Sequence, residues 1–374
     1  MRTVAISVCA VAVLAVALRA GGDSHGGRNQ SDPVVLSVEK GARWLASVQG
    51  QNGGWGQDGG ETSYVRQGER LESNGNDVAN TAVAALALRH AGKEYQPAID
   101  RAVAFVLSNV ENSPQDGLTV TRVNGTQIQR KLGPYIDTFL TSMLLSEIDG
   151  TLPTTTRNTR VRKALEKCVA KIERNQQSDG SWNLAGGWAP ILGTSMASRS
   201  LYEAKQKGVK VEERTMAMAD QYTKDALTPA PTTGRPGGVV AGFAAPMPAA
   251  AGVPLYQSAQ ALEQLSRTDG DRKKNAPQIN AIKSQLTNAK FVEGFGSIGG
   301  EEFFSYLNIS DGLRRAGGDE WARWHAQITD RILKLQNEDG TWAGHHCITG
   351  RVAVTSAAIL NLMVDREPLR NAHQ

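Results

Sequence analysis

The sequence predicts an all-α fold, a closed (α/α)6 barrel (toroid) of six helical hairpins with long loops at one mouth. Three observations carry this. One pattern recurs in a fixed Q-x3-G-x-W register, as Gln49…Gly53-Gly54-Trp55, Gln176…Gly180-Ser181-Trp182 and Gln336…Gly340-Thr341-Trp342. A repeat with constant internal spacing marks a repeating helical architecture. Each copy follows an amphipathic stretch and precedes a helical stretch of small residues. These two kinds of stretch alternate along the chain, which a ring of inner helices wrapped by outer ones satisfies.

Residues 1–20 read as a secretory signal: Arg2, an apolar run from Thr3 to Leu14, and a small-x-small site at Ala15-Val16-Ala17. The run is short for a bilayer span, so no stable transmembrane anchor is expected after cleavage, and the mature chain is expected to be secreted or periplasmic. Residues 21–32 form a flexible linker rich in Gly, Ser and Asp. The toroid domain follows over 33–366, with a C-terminal tail at 367–374.

Ser31-Asp32-Pro33 opens the first helix with a capping residue and a proline at the first helical position. Val34, Val38, Leu45 and Val48 then form one stripe, the mark of a helix with one wet face. Outer helices of this kind are expected at about 33–49, 97–110, 159–176, 210–227, 276–291 and 319–336. In the third, Val161, Leu165, Cys168 and Ile172 form the stripe, which makes Cys168 a core residue. Asp77 to Ala91 is small or apolar nearly all round, so that helix is buried on most sides. Inner helices of this second kind are expected at about 77–91, 134–148, 193–207, 253–267, 302–316 and 351–363.

Inner-to-outer links are short, whereas outer-to-inner links are long and glycine-rich, so the long ones crowd one mouth. The first insertion, 111–133, has alternating residues around Asn124-Gly125 and reads as a β-hairpin with a type I′ turn. The second, Thr228 to Pro254, is a Pro/Gly/Ala-rich loop that fits either a lid or a disordered surface segment.

With 41 basic and 37 acidic residues and no basic run of five, the net charge of +4 argues against nucleic acid as a partner. Cys168 and Cys347 follow the signal, and they fit either a disulfide or a buried thiol and a site thiol.

The repeated Q-x3-G-x-W resembles the QW motif of the terpenoid cyclase and protein prenyltransferase superfamily, the prenyltransferase/squalene-oxidase repeat proteins, over roughly residues 34–365. The resemblance implies that Gln49, Trp55, Gln176, Trp182, Gln336 and Trp342 are structural staples between neighbouring helices. Lys290…Gly294…Gly296 looks like a decayed copy. The catalytic signatures of the family are missing. No Asp-x-Asp-Asp acid or aspartate-rich metal motif occurs, the nearest run being Asp269-Gly270-Asp271-Arg272. The inner helices offer few rings to stabilise a carbocation, namely Tyr135, Phe139, Tyr202, Tyr256, Phe303, Phe304 and Tyr306.

Protein prenyltransferases bind zinc with Asp, Cys and His, and one cluster here has two of those types. His345, His346 and Cys347 sit between the last QW loop and the last inner helix, at the mouth. Because adjacent residues rarely all ligate one ion, His346 with Cys347, or His345 with Cys347, would act with a distant carboxylate such as Glu301, Glu302 or Asp77. The plain reading is a hydrogen-bonded polar loop. Asp77, Asp137, Arg199 and Glu302 are charges on buried helices, fitting either a polar lumen or internal ion pairs. Asp77, Arg199, Glu302 and Cys347 are therefore the catalytic candidates, and zinc the candidate cofactor. The sequence supports an exported toroid that binds a lipid, peptide or glycan at its mouth. The alternative is an enzyme of the superfamily with divergent, zinc-dependent chemistry there.

Overall fold

The computed structural model describes residues 32–60, 65–66, 69–70, 75–182, 190–227, 253–293 and 299–366. The signal segment, nearly all of the linker, the loop over 228–252, the glycines of the decayed repeat copy and the tail lie outside the described residues.

Fifteen helices are found among those residues: α1 (Pro33–Ser47), α2 (Val78–Ala91), α3 (Gln96–Asn112), α4 (Gln127–Leu132), α5 (Ile136–Ile148), α6 (Thr155–Arg174), α7 (Pro190–Gln206), α8 (Glu213–Leu227), α9 (Val253–Leu265), α10 (Asp269–Lys274), α11 (Ala276–Gln285), α12 (Ala289–Glu293), α13 (Gly300–Ala316), α14 (Gly318–Lys334) and α15 (Arg351–Met363). Helices α2, α5, α7, α9, α13 and α15 each pack on the next, and α15 returns to α2, closing a ring. Helices α1, α3, α6, α8, α11 and α14 lie outside it. Burial follows the expected division. Every residue of α2 from Val78 to Leu88 is buried, whereas α14 buries only Trp324, Ile328 and Ile332. None of the described helices is long and apolar enough to cross a membrane.

The three QW loops do the same work by the same bonds. Each tryptophan is buried and its indole N–H donates to a carbonyl of the preceding outer helix: Trp55 to Leu45 (2.8 Å), Trp182 to Ile172 (2.7 Å) and Trp342 to Ile332 (2.7 Å). This gives each helix-end carbonyl a side-chain donor, which for Ile332 adds to the Leu335 amide. Each glutamine reaches onward to the next outer helix. The Nε2 of Gln49 donates to the Ala98 carbonyl, that of Gln176 to Thr215, and that of Gln336 to Ser37. The last of these ties the final repeat to the first. Glycine is required between them: Gly53, Gly180 and Gly340 have φ of 87°, 89° and 87°. A Cβ at Gly53 would also lie 2.6 Å from the Arg101 carbonyl oxygen of α3.

Two expectations need correction. The insertion at 111–133 contains no β-hairpin. Thr126 and Gln129 form a reciprocal capping box that starts α4 where the second strand would run. The carbonyls of Asp116, Gly117 and Thr119, which a ladder would need, accept instead from Nζ of buried Lys171 on α6 (3.4, 2.9 and 3.1 Å). The fifth outer helix is also broken, because the Asn288 side chain accepts from the Lys290 and Phe291 amides and restarts the chain as α12. The strands among the described residues are a two-residue antiparallel pair, Val65–Arg66 with Glu69–Arg70.

Candidate metal site at the mouth

All six inner helices begin at the loop-rich mouth, and the segment 344–350 lies across it before entering α15. Loops from distant parts of the sequence hold this segment down. Gln127 Oε1 on α4 accepts from the Thr349 and Gly350 amides (3.0 and 3.1 Å). Asp58 Oδ1 accepts from the Arg351 amide (2.9 Å), and the Gln57 carbonyl accepts from Val352 (3.1 Å). Glycines let it press against the start of α13. A Cβ on Gly344 would sit 2.5 Å from the Gly300 nitrogen, and one on Gly300 would sit 2.7 Å from the Ile348 Cβ.

This packing brings Glu301, His346 and Cys347 together, with one potential ligand atom from each within 4.8 Å of the others. Glu301 is buried and the other two are half-buried. His346 Nδ1 lies 3.8 Å from Glu301 Oε1, beyond direct hydrogen-bond range. Gly299 makes room for the pair, since a Cβ there would lie 2.6 Å from Glu301 Oε2 and 2.7 Å from the His346 ring. Cys347 is the one non-glycine residue with positive φ (61°) among the described residues. That conformation costs a β-carbon residue roughly 1–2 kcal/mol, so the surrounding contacts impose it. Burial pushes the Cys347 thiol up to about 12; its hydrogen bond to Glu301 and the carboxylate charge add to this, while Lys131 of α4 opposes it. The thiol is thus protonated at neutral pH and hydrogen-bonded within the cluster.

The other predicted residues fall elsewhere. His345 is exposed and is not in the group. Glu302 accepts from the Gly299 amide (3.1 Å) and caps α13. Asp77 caps α2, accepting from the Asn80 amide and side chain (both 2.8 Å). Beside it Asp137 Oδ1 accepts from the Ala79 amide (3.0 Å) and Oδ2 from Gln129 (2.7 Å). Both carboxyls are fully buried at one helix start, and burial pushes both up, with the Asp77 charge raising Asp137 further.

Arg199 belongs to the opposite end of the ring. It pairs with Glu203 (2.9 Å) and Asp311, and donates to Asn308 Oδ1 (3.1 Å). Helices α7 and α13 are not neighbours in the ring, so these contacts cross its interior. Glu263 pairs with Arg267 (2.7 Å) and Arg315 (3.4 Å) in the same layer. Burial alone would raise Glu263, yet Arg267, Arg315 and Arg199 bring it down to about 2. Of the aromatic candidates, Tyr202 lies under the Arg267 guanidinium (4.8 Å), and Tyr306 donates to the Val292 carbonyl and packs edge-on to Trp324. Phe139, Phe303 and Phe304 are buried; the Tyr256 side chain lies outside the described residues. Cys168 is buried among apolar neighbours, and both it and Cys347 are free thiols. Sequence reasoning missed Lys131 and Gln127, which carry no motif.

Residues 26–128 match the squalene–hopene cyclase C-terminal domain family. The squalene–hopene cyclase of Bradyrhizobium diazoefficiens is 37% identical over 82 residues, which cover 22% of this chain and 12% of that enzyme. The apo type II terpene cyclase MstE of Scytonema shares 10% identity over 89% of this chain and 97% of its own, at a TM-score of 0.37. A variant of that cyclase bound to geranylgeranyl dihydroxybenzoate shares 12% identity over 89% of this chain and 97% of its own, at a TM-score of 0.36.

Proposed function

We propose that this chain, a toroid of the terpenoid cyclase superfamily, holds a zinc ion on Glu301, His346 and Cys347 and presents it to a lipid, peptide or glycan partner at the mouth. The setting proposed is extracytoplasmic, secreted or periplasmic, from the signal-like start. One observation carries the reading: three different zinc-ligand types, from α13 and the loop before α15, lie within 4.8 Å of one another in an approach that a Cβ on Gly299 would block. Zinc bonds of about 2.0–2.3 Å in tetrahedral geometry place ligand atoms roughly 3.3–3.6 Å apart, so the group needs to close by about 1 Å. When bound, the ion would supply Lewis acidity to a group of the partner. The chain's own residues do the rest. Cys347 would bind as the thiolate, its proton released to solvent, Glu301 would turn its carboxylate from the thiol to the ion, and Gln127 and Asp58 hold the ligand loop seated.

Chemistry on the bound partner is a second reading, favoured by the ligand count. Sites with three protein ligands and an open position are the catalytic kind. Asp77, Arg199 and Glu302 are each engaged in capping or ion pairing, so Cys347 remains the one catalytic candidate at the site.

Elemental analysis and a competitive chelator titration of the full chain test the proposal. Near-stoichiometric zinc is expected, with affinity falling at least about 100-fold in Cys347→Ser and Glu301→Gln and unchanged in the exposed-site control His345→Ala. Zinc content equal in wild type and Cys347→Ser, or absent from both, would overturn it.

A further inference from the structure

We propose that a cleft on the outer rim of the mouth binds a neutral saccharide unit. The inference rests on the reading of a partner at the mouth, narrows that partner to a glycan, and needs no metal. The cleft has a volume of about 180 Å³ and lies where α3 runs into the 111–133 insertion. Ser108, Asn109, Asn112 and Ser113 line it from the end of α3, and Val120 and Arg122 from the insertion. The insertion wall is fixed before any ligand arrives. Nζ of buried Lys171 donates to the Gly117 and Thr119 carbonyls (2.9 and 3.1 Å), and Thr138 Oγ1 donates to that of Leu118. A wall formed in advance removes an ordering cost that binding otherwise carries.

The lining decides the ligand class. Nδ2 of Asn109 donates to the Phe105 carbonyl (2.9 Å) and that of Asn112 to the Ser108 carbonyl (2.8 Å), which turns both amide oxygens away from the helix backbone as acceptors. The Ser113 hydroxyl donates to the Val110 carbonyl (2.7 Å), so its oxygen is left to accept. Arg122 is exposed and can only donate. An anion would meet those acceptors at the carbonyl end of α3, where the helix dipole is negative. The Lys167 ammonium is engaged by that same helix end, on the Glu111 and Ser113 carbonyls (3.3 and 2.7 Å). A cation would meet the Arg122 guanidinium. A hydroxyl both donates and accepts, so a ring bearing several of them satisfies the amide oxygens and the guanidinium together. Val120 adds apolar surface for the C–H face of such a ring. The size agrees. The volume is below the roughly 300–1,000 Å³ of pockets that enclose a drug-sized ligand, so the cleft takes one ring of a longer chain.

Saturation-transfer NMR on the full chain tests this, with glucose, galactose, mannose and N-acetylglucosamine as probes and sulfate and methylammonium as charged competitors. At least one sugar is expected to bind saturably and to stay bound in the presence of either competitor. Ser108 and Arg122 are exposed, so Ser108→Trp and Arg122→Met should keep the thermal midpoint of the wild type. Ser108→Trp fills the cleft and should abolish the signal. Arg122→Met should bind the sugar at least about 10-fold more weakly, as loss of a hydrogen bond to a charged group predicts. Arg323→Met, an exposed change on α14, should bind it as the wild type does. No binding by any of the four sugars, or equal binding in wild type and Ser108→Trp, would overturn the proposal. Displacement of the sugar by sulfate would overturn it in favour of an anion site, and by methylammonium in favour of a cation site. Zinc content of the same samples separates the two readings: a chain that binds sugar but no zinc loses the metal site alone and keeps the cleft.

Discussion

The two ends of the toroid treat charge in opposite ways. At the short-loop end, among the described residues, buried arginines and carboxylates face their opposites: Arg199 meets Glu203 and Asp311, Arg267 and Arg315 meet Glu263, and Arg89 meets Glu147. Arg315–Glu263 and Arg89–Glu147 link neighbouring inner helices, Arg199–Asp311 joins two that are not neighbours, and Arg199–Glu203 and Arg267–Glu263 lie four residues apart in one stretch of chain, so that end is tied together by matched charges. At the mouth the grouping is of another kind. Asp77 and Asp137 share one helix start with no basic side chain among the groups that set their protonation. Glu301 lies with a histidine and a cysteine, and the backbone at Cys347 is strained to keep it there. Matched pairs are what closure needs. Like charges and ligand types gathered at an open end impose a cost that closure does not explain, and this is why function is sought at the mouth.

The largest test of that contrast is Glu263→Ala. It leaves the Arg267 guanidinium buried without its counter-charge and should cost about 3–5 kcal/mol in urea unfolding at neutral pH. A loss below about 1 kcal/mol would mean that the closed end is not held by its ion pairs. The same group sets an acid limit. Its folded pKa lies below the unfolded one, so its contribution is present above the ordinary carboxylate range and lost as pH falls toward about 2.

Next in size is Trp342→Phe, which keeps an aromatic ring but removes the indole donor to the Ile332 carbonyl, leaving that carbonyl only the Leu335 amide, at about 1 kcal/mol. The matching change at Trp182 removes the indole donor to the Ile172 carbonyl and should cost at least as much. The two separate at the mouth, because only Trp342 leads into the ligand loop. Zinc content should fall in Trp342→Phe and stay level in Trp182→Phe. Equal content in both would detach the site from its repeat.

Much of the architecture was legible because the repeat and the helical periodicity are local. Gln49, Trp55 and their counterparts keep their register, and an uncharged run such as Val78 to Leu88 can only be an inner helix. The mouth was less legible because its contacts join distant segments. Glu301 and Glu302 look alike in sequence, yet one helical step of about 100° sends one to the cluster and the other to the Gly299 amide. Lys131, whose charge opposes the rise of the Cys347 thiol, carries no motif, and its helix α4 is tied to the ligand loop by Gln127, far away in sequence. At 124–129 two local signals competed. Asn124-Gly125 favours a hairpin and Thr126-x-x-Gln129 a helix start; the helix prevailed, with Lys171 holding the carbonyls a ladder would have used.

The smallest effect tests the mouth carboxylates by pH alone. Both folded pKa values are raised above the unfolded ones, so the folded chain keeps a proton that the unfolded chain has released. The sign follows: this contribution is present below about pH 4 and lost as pH rises from there toward neutrality. Asp137→Asn removes one titrating partner while its Oδ1 can still accept from the Ala79 amide. It also sets an amide N–H against the Gln129 N–H, so the variant should be less stable at pH 5. Between pH 5 and pH 8 the wild type should lose about 1 kcal/mol more than the variant, one unit of raised pKa being worth about 1.4 kcal/mol. Parallel stability curves would show that the pair is fully ionised in the folded chain. In that case the four donors around the two carboxyls outweigh burial and repulsion, and Asp77 and Asp137 would be ordinary helix caps, leaving Glu301, His346 and Cys347 as the feature that distinguishes the mouth from the closed end.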